Sequence, residues 1–295
     1  MKALFYTTTT VDCSNHVQAW NSAYPKASHI CYEMRHLCND WQLLEGIERE
    51  KPDVVFYIGA NESLGNPKVG TLQIAQSKVP VINLCSDAAD KPWHRTLEGY
   101  KRKGCFALQV SIDGARDAPV DYATLTPIDP GPFCEPLTKS IRCGFSGTVG
   151  RWNARSEVVL ALTWFGGLVV RDRVKVDGYE NHVDFLKRCR MVLNISNTGS
   201  GLAHHIKGRV LEAGWARSAL LESAGSPIGE WFPSDCYITY RNPKEAADII
   251  RDIGDTEIDK CAARLAHEVR TRFRPDMIYD EILRRVDFTI ARPAA

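Results

Sequence analysis

The 295 residues hold no apolar run long enough to cross a bilayer. The longest, 158-VVLALTWFGGLVV-170, falls short of the roughly 18 residues that a spanning helix needs. The opening decapeptide, MKALFYTTTT, lacks the apolar centre of a secretory signal. Excess charge of one sign is missing too: 37 Lys and Arg face 36 Asp and Glu, a net charge of +1. No bulk field therefore draws the chain to nucleic acid or membrane. Among the 10 cysteines no C-x-x-C pair occurs. The mixed cluster 29-HICYEMRHLC-38 lacks zinc-knuckle spacing, so no metal is expected. Internal repeats and low-complexity tracts are also absent. The expectation is a cytoplasmic, soluble protein with reduced thiols and no membrane insertion.

What is present is ordinary globular composition, 44% apolar and 25% charged, on a chain whose length suits two domains of about 100–150 residues. Short β-like runs alternate with helical patterns, the signature of βαβ units and parallel sheets. Strands are expected over 2–7, 53–59 and 79–85, each dense in branched and aromatic residues as in strands covered on both faces. Helical spacing spans 39–51 and 69–78. The proline-rich stretch 126-TPIDPGPFCEP-136 interrupts all periodicity. A second series follows: strands over 141–147, 167–172, 191–197, 219–223 and 236–240, and helices over 154–165, 180–189, 206–214 and 243–253. The last of these carries Pro243 in its first turn and Asn242 as cap. Two more helices, about 257–273 and 275–286, complete the chain. The reading is α/β: two Rossmann-like, doubly wound domains at 1–126 and 141–273, a linker at 127–140, and a terminal helix and tail at 274–295 that is either disordered at its end or packed back on the first domain.

Such folds bind ligands beyond the carboxyl ends of their strands. The strand 191–197 ends at 198-TGSG-201, and the helix after it opens with Lys207 and Arg209. Cations in a first helical turn oppose the helix dipole by a few tenths of a kcal/mol unless a multiply charged anion shares the site. A diphosphate meets that condition. The alternative is a surface ion pair between Arg209 and Glu212, worth about 0.3–0.5 kcal/mol. Gly144, Gly147 and Gly150 permit a tight turn after strand 141–147, with Arg151 and Arg155 following it. Cations from both loops would converge on one pyrophosphate. His204 and His205 are placed to reach a phosphate or sugar hydroxyl, one of them being a packing residue.

Residues 190–250, containing LNIS, KGRVLEAGW, ALLES, EWFP and YITY in that order, followed by 262-AARLAHEV-269 and 273-FRPDMIYDEIL-283, resemble the C-terminal half of GT-B glycosyltransferases, nearest the spore-maturation-protein-like (group 1 type) branch. The resemblance implies two Rossmann-like domains facing a cleft, with a nucleoside diphosphate sugar such as a UDP-sugar on the C-terminal one and the acceptor on the N-terminal one. It implies no cofactor and no obligatory metal, the nucleotide sugar being a co-substrate. The absence of a D-x-D tripeptide agrees with this. By the same resemblance Glu212 holds the ribose hydroxyls, Arg151, Arg155, Lys207 and Arg209 clamp the diphosphate, and His204, His205 and Gly147 line the donor sugar or phosphate. The related E-x7-E pattern has an acid where this chain has His204, which leaves retention or inversion of configuration open. Glu212→Ala and Arg209→Ala are each expected to lose donor binding with the fold intact.

An acceptor base is sought in the first domain. Asp87 or His94, after strand 79–85, would take a proton from the acceptor hydroxyl; a turn or capping role for Asp87 is the alternative. Thr9, Asp12 and Asn61 are assigned to the acceptor side. The acceptor itself stays open between a polysaccharide, a protein, a small molecule and a hydroxymethylated phage DNA base. The basic stretch 91-KPWHRTLEGYKRK-103 keeps DNA among them. A non-catalytic nucleotide-sugar binding module is the alternative function.

Overall fold

The computed structural model describes residues 1–8, 11–32, 40–59, 65–147, 149, 154–172, 178–198, 201 and 203–286, without the side chains of 11–14, 154 and 172. The chain divides into two units, one of residues Met1–Pro127 joined by the chain from Pro275 onward, the other of Ile128–Arg274.

The first unit is built on a parallel sheet of β1 (Ala3–Thr8), β2 (Ser28–Tyr32), β3 (Val54–Ile58), β4 (Val81–Cys85), β5 (Leu108–Ser111) and β6 (Tyr122–Ala123), ordered β2-β1-β3-β4-β5-β6. Helices α1 (Val11–Asn21), α2 (Asp40–Glu50), α3 (Val69–Lys78) and α4 (Lys91–Arg102) connect the first five strands. Register explains the aromatic content of β1 and β3. Phe5 pairs with Phe56 and Tyr6 with Tyr57, so alternate residues send Phe rings to one face and Tyr rings to the other. The Phe5 and Phe56 rings stack at 4.8 Å, and Tyr6 stacks on Tyr32 of β2 at 4.9 Å. Helix α10 (Pro275–Arg285) belongs to this unit: its fully buried Tyr279 meets the Phe5, Trp20 and Phe56 rings edge-on and donates to the His16 carbonyl at 3.0 Å.

Sequence reasoning assigned no strand to β2, β5 or β6 and no helix to α1 or α4. The edge strand β2, SHICY, is only partly buried and carries too few apolar residues to stand out. Residues 91–103, read as a charge cluster, fold as amphipathic α4, with Trp93, Leu97 and Tyr100 at helical spacing buried beneath its lysines and arginines.

The second unit holds β7 (Ile141–Gly147), β8 (Val169–Asp172), β9 (Cys189–Asn194), β10 (Ala219–Ser223) and β11 (Ile238–Tyr240), again all parallel, in the order β11-β10-β9-β7-β8. Helices α5 (Ala154–Phe165), α6 (Tyr179–Arg188), α7 (Arg209–Trp215), α8 (Pro243–Asp252) and α9 (Asp255–Arg272) flank it. Asn242 caps α8 as its sequence position suggests, accepting from the Glu245 backbone N–H at 2.9 Å. Gly144 serves close packing within β7 instead of a turn: a Cβ there would lie 2.3 Å from Cys189 Sγ and 2.8 Å from the Phe185 ring. The chain leaves β7 toward β8 on one side and returns to β9 on the other. The carboxyl ends of β7 and β9 therefore flank the point where strand order reverses, where doubly wound sheets bind ligands.

A candidate nucleotide-sugar site on the C-terminal unit

Ser146 and Gly147 end β7, and opposite them Glu212 rises from the first turn of α7. Glu212 is 8% exposed. Its Oε1 accepts from the Tyr179 hydroxyl at 3.0 Å and its Oε2 faces His182 Nε2 at 3.0 Å, both partners coming from the start of α6. The other imidazole nitrogen, Nδ1, meets Ser146 Oγ at 2.8 Å, so one chain of polar contacts links β7, α6 and α7. Burial pushes the Glu212 carboxyl up, but the His182 ring, the Arg209 guanidinium and the Tyr179 hydroxyl together outweigh it and hold the group at about 2. The surface ion pair with Arg209 considered as an alternative does not describe this buried carboxylate.

Arg209 opens α7 and lies across the Phe145 ring, Cζ 5.2 Å from its centroid. A side chain at Gly147 would put its Cβ 3.1 Å from Arg209 Nη2 and 3.2 Å from the Phe145 ring. Glycine there leaves the guanidinium its place. Expected in the first helical turn, Lys207 stands before α7, which starts at Arg209, not 206; its Nζ is 2.5 Å from His205 Nε2. Lys207 therefore does not oppose the helix dipole from within the first turn. His205 is the buried histidine of the pair, 4% exposed, and its Nε2 accepts from the lysine. Arg155 stands in the first turn of α5, burial pulling its guanidinium below the usual value.

A second buried carboxylate was not anticipated. Glu222, on β10, is fully buried and accepts from Asn194 Nδ2 of β9 at 2.6 Å and from the Ser223 backbone N–H at 3.1 Å. Burial pushes it up to about 7 against the pull of those hydrogen bonds. The contacts run on through Ser223 Oγ to Ser196 Oγ at 2.8 Å and then to His204 Nδ1 at 3.0 Å. Burial first, and His205 second, lower the His204 imidazole, which favours its neutral form. Neither Glu222 nor His182 carries a local motif; the one available signal was an acid inside an otherwise apolar strand, 219-ALLES-223.

In the N-terminal unit, Asp87 lies in the turn after β4 and its carbonyl accepts from the Asp90 N–H at 3.1 Å. His94 of α4 contacts the Ala88 carbonyl through Nε2 at 3.0 Å, which places the ring proton on Nε2 and leaves Nδ1 as acceptor. The same turn is held by buried Asp113, whose Oδ2 accepts from the Ala89 N–H at 3.1 Å while Oδ1 accepts from Ser111 Oγ at 2.6 Å. Arg151, Thr9 and Asn61 lie outside the described residues, as does the side chain of Asp12, which falls in α1. The described histidines, cysteines and acids form no cluster of three or more able to hold a metal ion.

A family model described as "Glycosyl transferase-like" matches residues 131–285, more than half of the chain. The protein belongs to that family. Among curated proteins, none matches it. Of solved structures similar to this glycosyltransferase, HepE of Anabaena in complex with UDP and glucose has a TM-score of 0.64 at 10% identity, over 96% of this chain and 98% of that one. An alpha-glucosyltransferase in complex with UDP and a 13-mer DNA gives 0.63 at 11% identity, over 96% and 100%. A BGT mutant of phage T4 with UDP-glucose gives 0.57 at 11% identity, over 97% and 100%. At such identities the likeness is one of fold, and the fold of this glycosyltransferase is GT-B. No helix of its described residues is long and apolar enough to cross a membrane.

Proposed function

We propose that the C-terminal unit binds a nucleoside diphosphate sugar, a UDP-sugar in the first instance, and that the enzyme passes the sugar to an acceptor hydroxyl without a cofactor or metal. The observation that carries this reading is the buried, ionised Glu212 beside Arg209 at the strand-order switch point. Two of the roughly four lone-pair positions on the Glu212 carboxylate are used by Tyr179 and His182, which leaves acceptor capacity for ribose hydroxyls. Arg209, Arg155, Lys207 and Arg151 supply positive charge for the departing diphosphate, the task a metal performs elsewhere. His204, His205 and Gly147 line the sugar or phosphate.

In the transfer, the acceptor oxygen forms a bond to the anomeric carbon as that carbon's bond to the β-phosphate oxygen breaks. The acceptor proton goes to a base, for which His94, through Nδ1, or Asp87 is proposed, and the nucleoside diphosphate leaves with the bonding pair. The acceptor is a polysaccharide, a protein, a small molecule or a hydroxymethylated phage DNA base. The structural likeness to an alpha-glucosyltransferase solved with a DNA 13-mer supports keeping DNA in that set.

The test is a thermal-shift screen with UDP, GDP, ADP, CDP and dTDP and their sugars, repeated on Arg209→Ala. A rise of several degrees for one nucleotide, lost in the variant, is expected. No rise for any nucleotide overturns the donor site.

A further inference from the structure

At the other end of α7 the second unit contains a cavity of about 220 Å³. At about 30 Å³ per water it has room for roughly seven waters, enough for a phosphate with part of its hydration shell. Its wall includes Lys187, Arg217 and Arg270 together with Trp215 and Phe133, and it includes no carboxylate. The wall thus presents three cations and no acid, Lys187 being paired with Asp184 outside it and Arg217 standing exposed at its rim.

Each cation has a different local situation. Lys187 is 7% exposed; its Nζ donates to the Pro132 carbonyl at 3.2 Å and pairs with Asp184 at 3.3 Å on the more exposed side. Arg270 lies over the Trp215 ring at 5.4 Å and donates to the Trp215 carbonyl at 3.4 Å. Burial, and then the like charge of Arg217, pull its guanidinium below the usual value. Arg217 has no ion-pair partner among the described residues.

The ordinary role for such a charge is already filled. The last carbonyls of α7 attract cations, but Trp215 O is taken by Arg270 and Ala216 O by Lys139 Nζ at 2.8 Å. Arg217 is therefore surplus to capping α7. It also sits at φ 53°, in the left-handed region, where it closes α7 through the Ser218 N–H to Ala213 O bond at 2.9 Å. That position favours glycine, and an arginine there is strained by the order of 1 kcal/mol. A left-handed arginine at the rim of a cation-lined hollow is a backbone strain placed where an anion would be bound.

We infer that this cavity is a second anion site, for a phosphoryl group, held by Arg217 and Arg270 with Lys187 behind them. It is separate from the donor site, since it lies at the amino ends of the strands while Glu212 and Arg209 lie at the carboxyl ends. Free phosphate and a phosphomonoester present the same dianionic group, and the assay separates them.

The test follows thermal shift and calorimetric titration with inorganic phosphate and with glycerol 3-phosphate, against sodium chloride of equal ionic strength. The wild type and Arg209→Ala should respond to phosphate alike. Arg217→Gly, which removes charge and strain together, should unfold at a higher temperature without ligand and bind phosphate at least ten-fold more weakly. Arg270→Gln should also lose at least ten-fold in affinity. Tighter binding of glycerol 3-phosphate than of phosphate would assign the site to an organic phosphate. A wild-type response no larger than that to chloride overturns the inference. So does a response kept in both Arg217→Gly and Arg270→Gln, or one lost in Arg209→Ala, which would place the phosphate in the donor site.

Discussion

Replacing Glu222 by Gln tests whether a buried carboxyl under β10 holds a proton near neutral pH. The group sits at about 7 against an ordinary 4.5. Its raised value means that the folded state binds the proton more tightly than the unfolded chain. Its contribution to stability is therefore fully present below 4.5 and is lost as pH rises toward 7. At 1.36 kcal/mol per pH unit the swing is roughly 3 kcal/mol, or about 6–12 °C in Tm for a domain of this size. Gln is a fair neutral mimic, because Asn194 Oδ1 is buried with no partner and a flipped Asn194 amide would accept from the new NH2 group. Thermal unfolding of both proteins between pH 5 and pH 8 is the assay. Wild type should lose several degrees more than Glu222→Gln over that range, with the variant the more stable at pH 8. Parallel pH profiles would refute a protonated Glu222.

Glu212 should behave with the opposite sign, since its carboxyl is held at about 2: its contribution is present above 4.5 and lost as pH falls toward 2. Glu212→Gln should thus cost about 3 kcal/mol at pH 7, measured by urea unfolding, and nothing near pH 2. Glu212→Ala should keep the fold but lower its stability by about 1–3 kcal/mol, because it removes the acceptor of the Tyr179 and His182 hydrogen bonds and the carboxylate beside Arg209. Gly147→Ala should displace Arg209 and weaken nucleotide binding about ten-fold, by calorimetry, and cost about 1–3 kcal/mol in stability, since the backbone there favours glycine and the new Cβ presses on the Phe145 ring. Should the acceptor be duplex DNA, anisotropy titrations should show affinity falling steeply between about 50 and 200 mM salt, and a flat profile would remove DNA from the acceptor set.

Where a segment's own composition decides its state, sequence was enough. Strands 141–147 and 219–223 and helices 69–78 and 154–165 fall where their patterns put them, because buried parallel strands need apolar runs and these helices bury apolar residues three apart, Leu72 with Ala75 and Val159 with Leu162. The family resemblance singled out Glu212, with Arg209 three residues before it. What the sequence could not supply was the partner of each. Glu212 is three residues from Arg209 but faces His182, thirty positions earlier, and Ser146 joins them only because β7 ends beside α6. Lys207 fell outside α7 because the turn through Thr198 and Ala203 ties the chain back toward β9, a choice made by the Thr198 and His205 backbone hydrogen bonds. The ionisation of Glu212 and the protonation of Glu222 likewise belong to the tertiary structure alone: two glutamates ten residues apart titrate on opposite sides of their common reference because one is buried against a histidine and an arginine and the other against amides and hydroxyls.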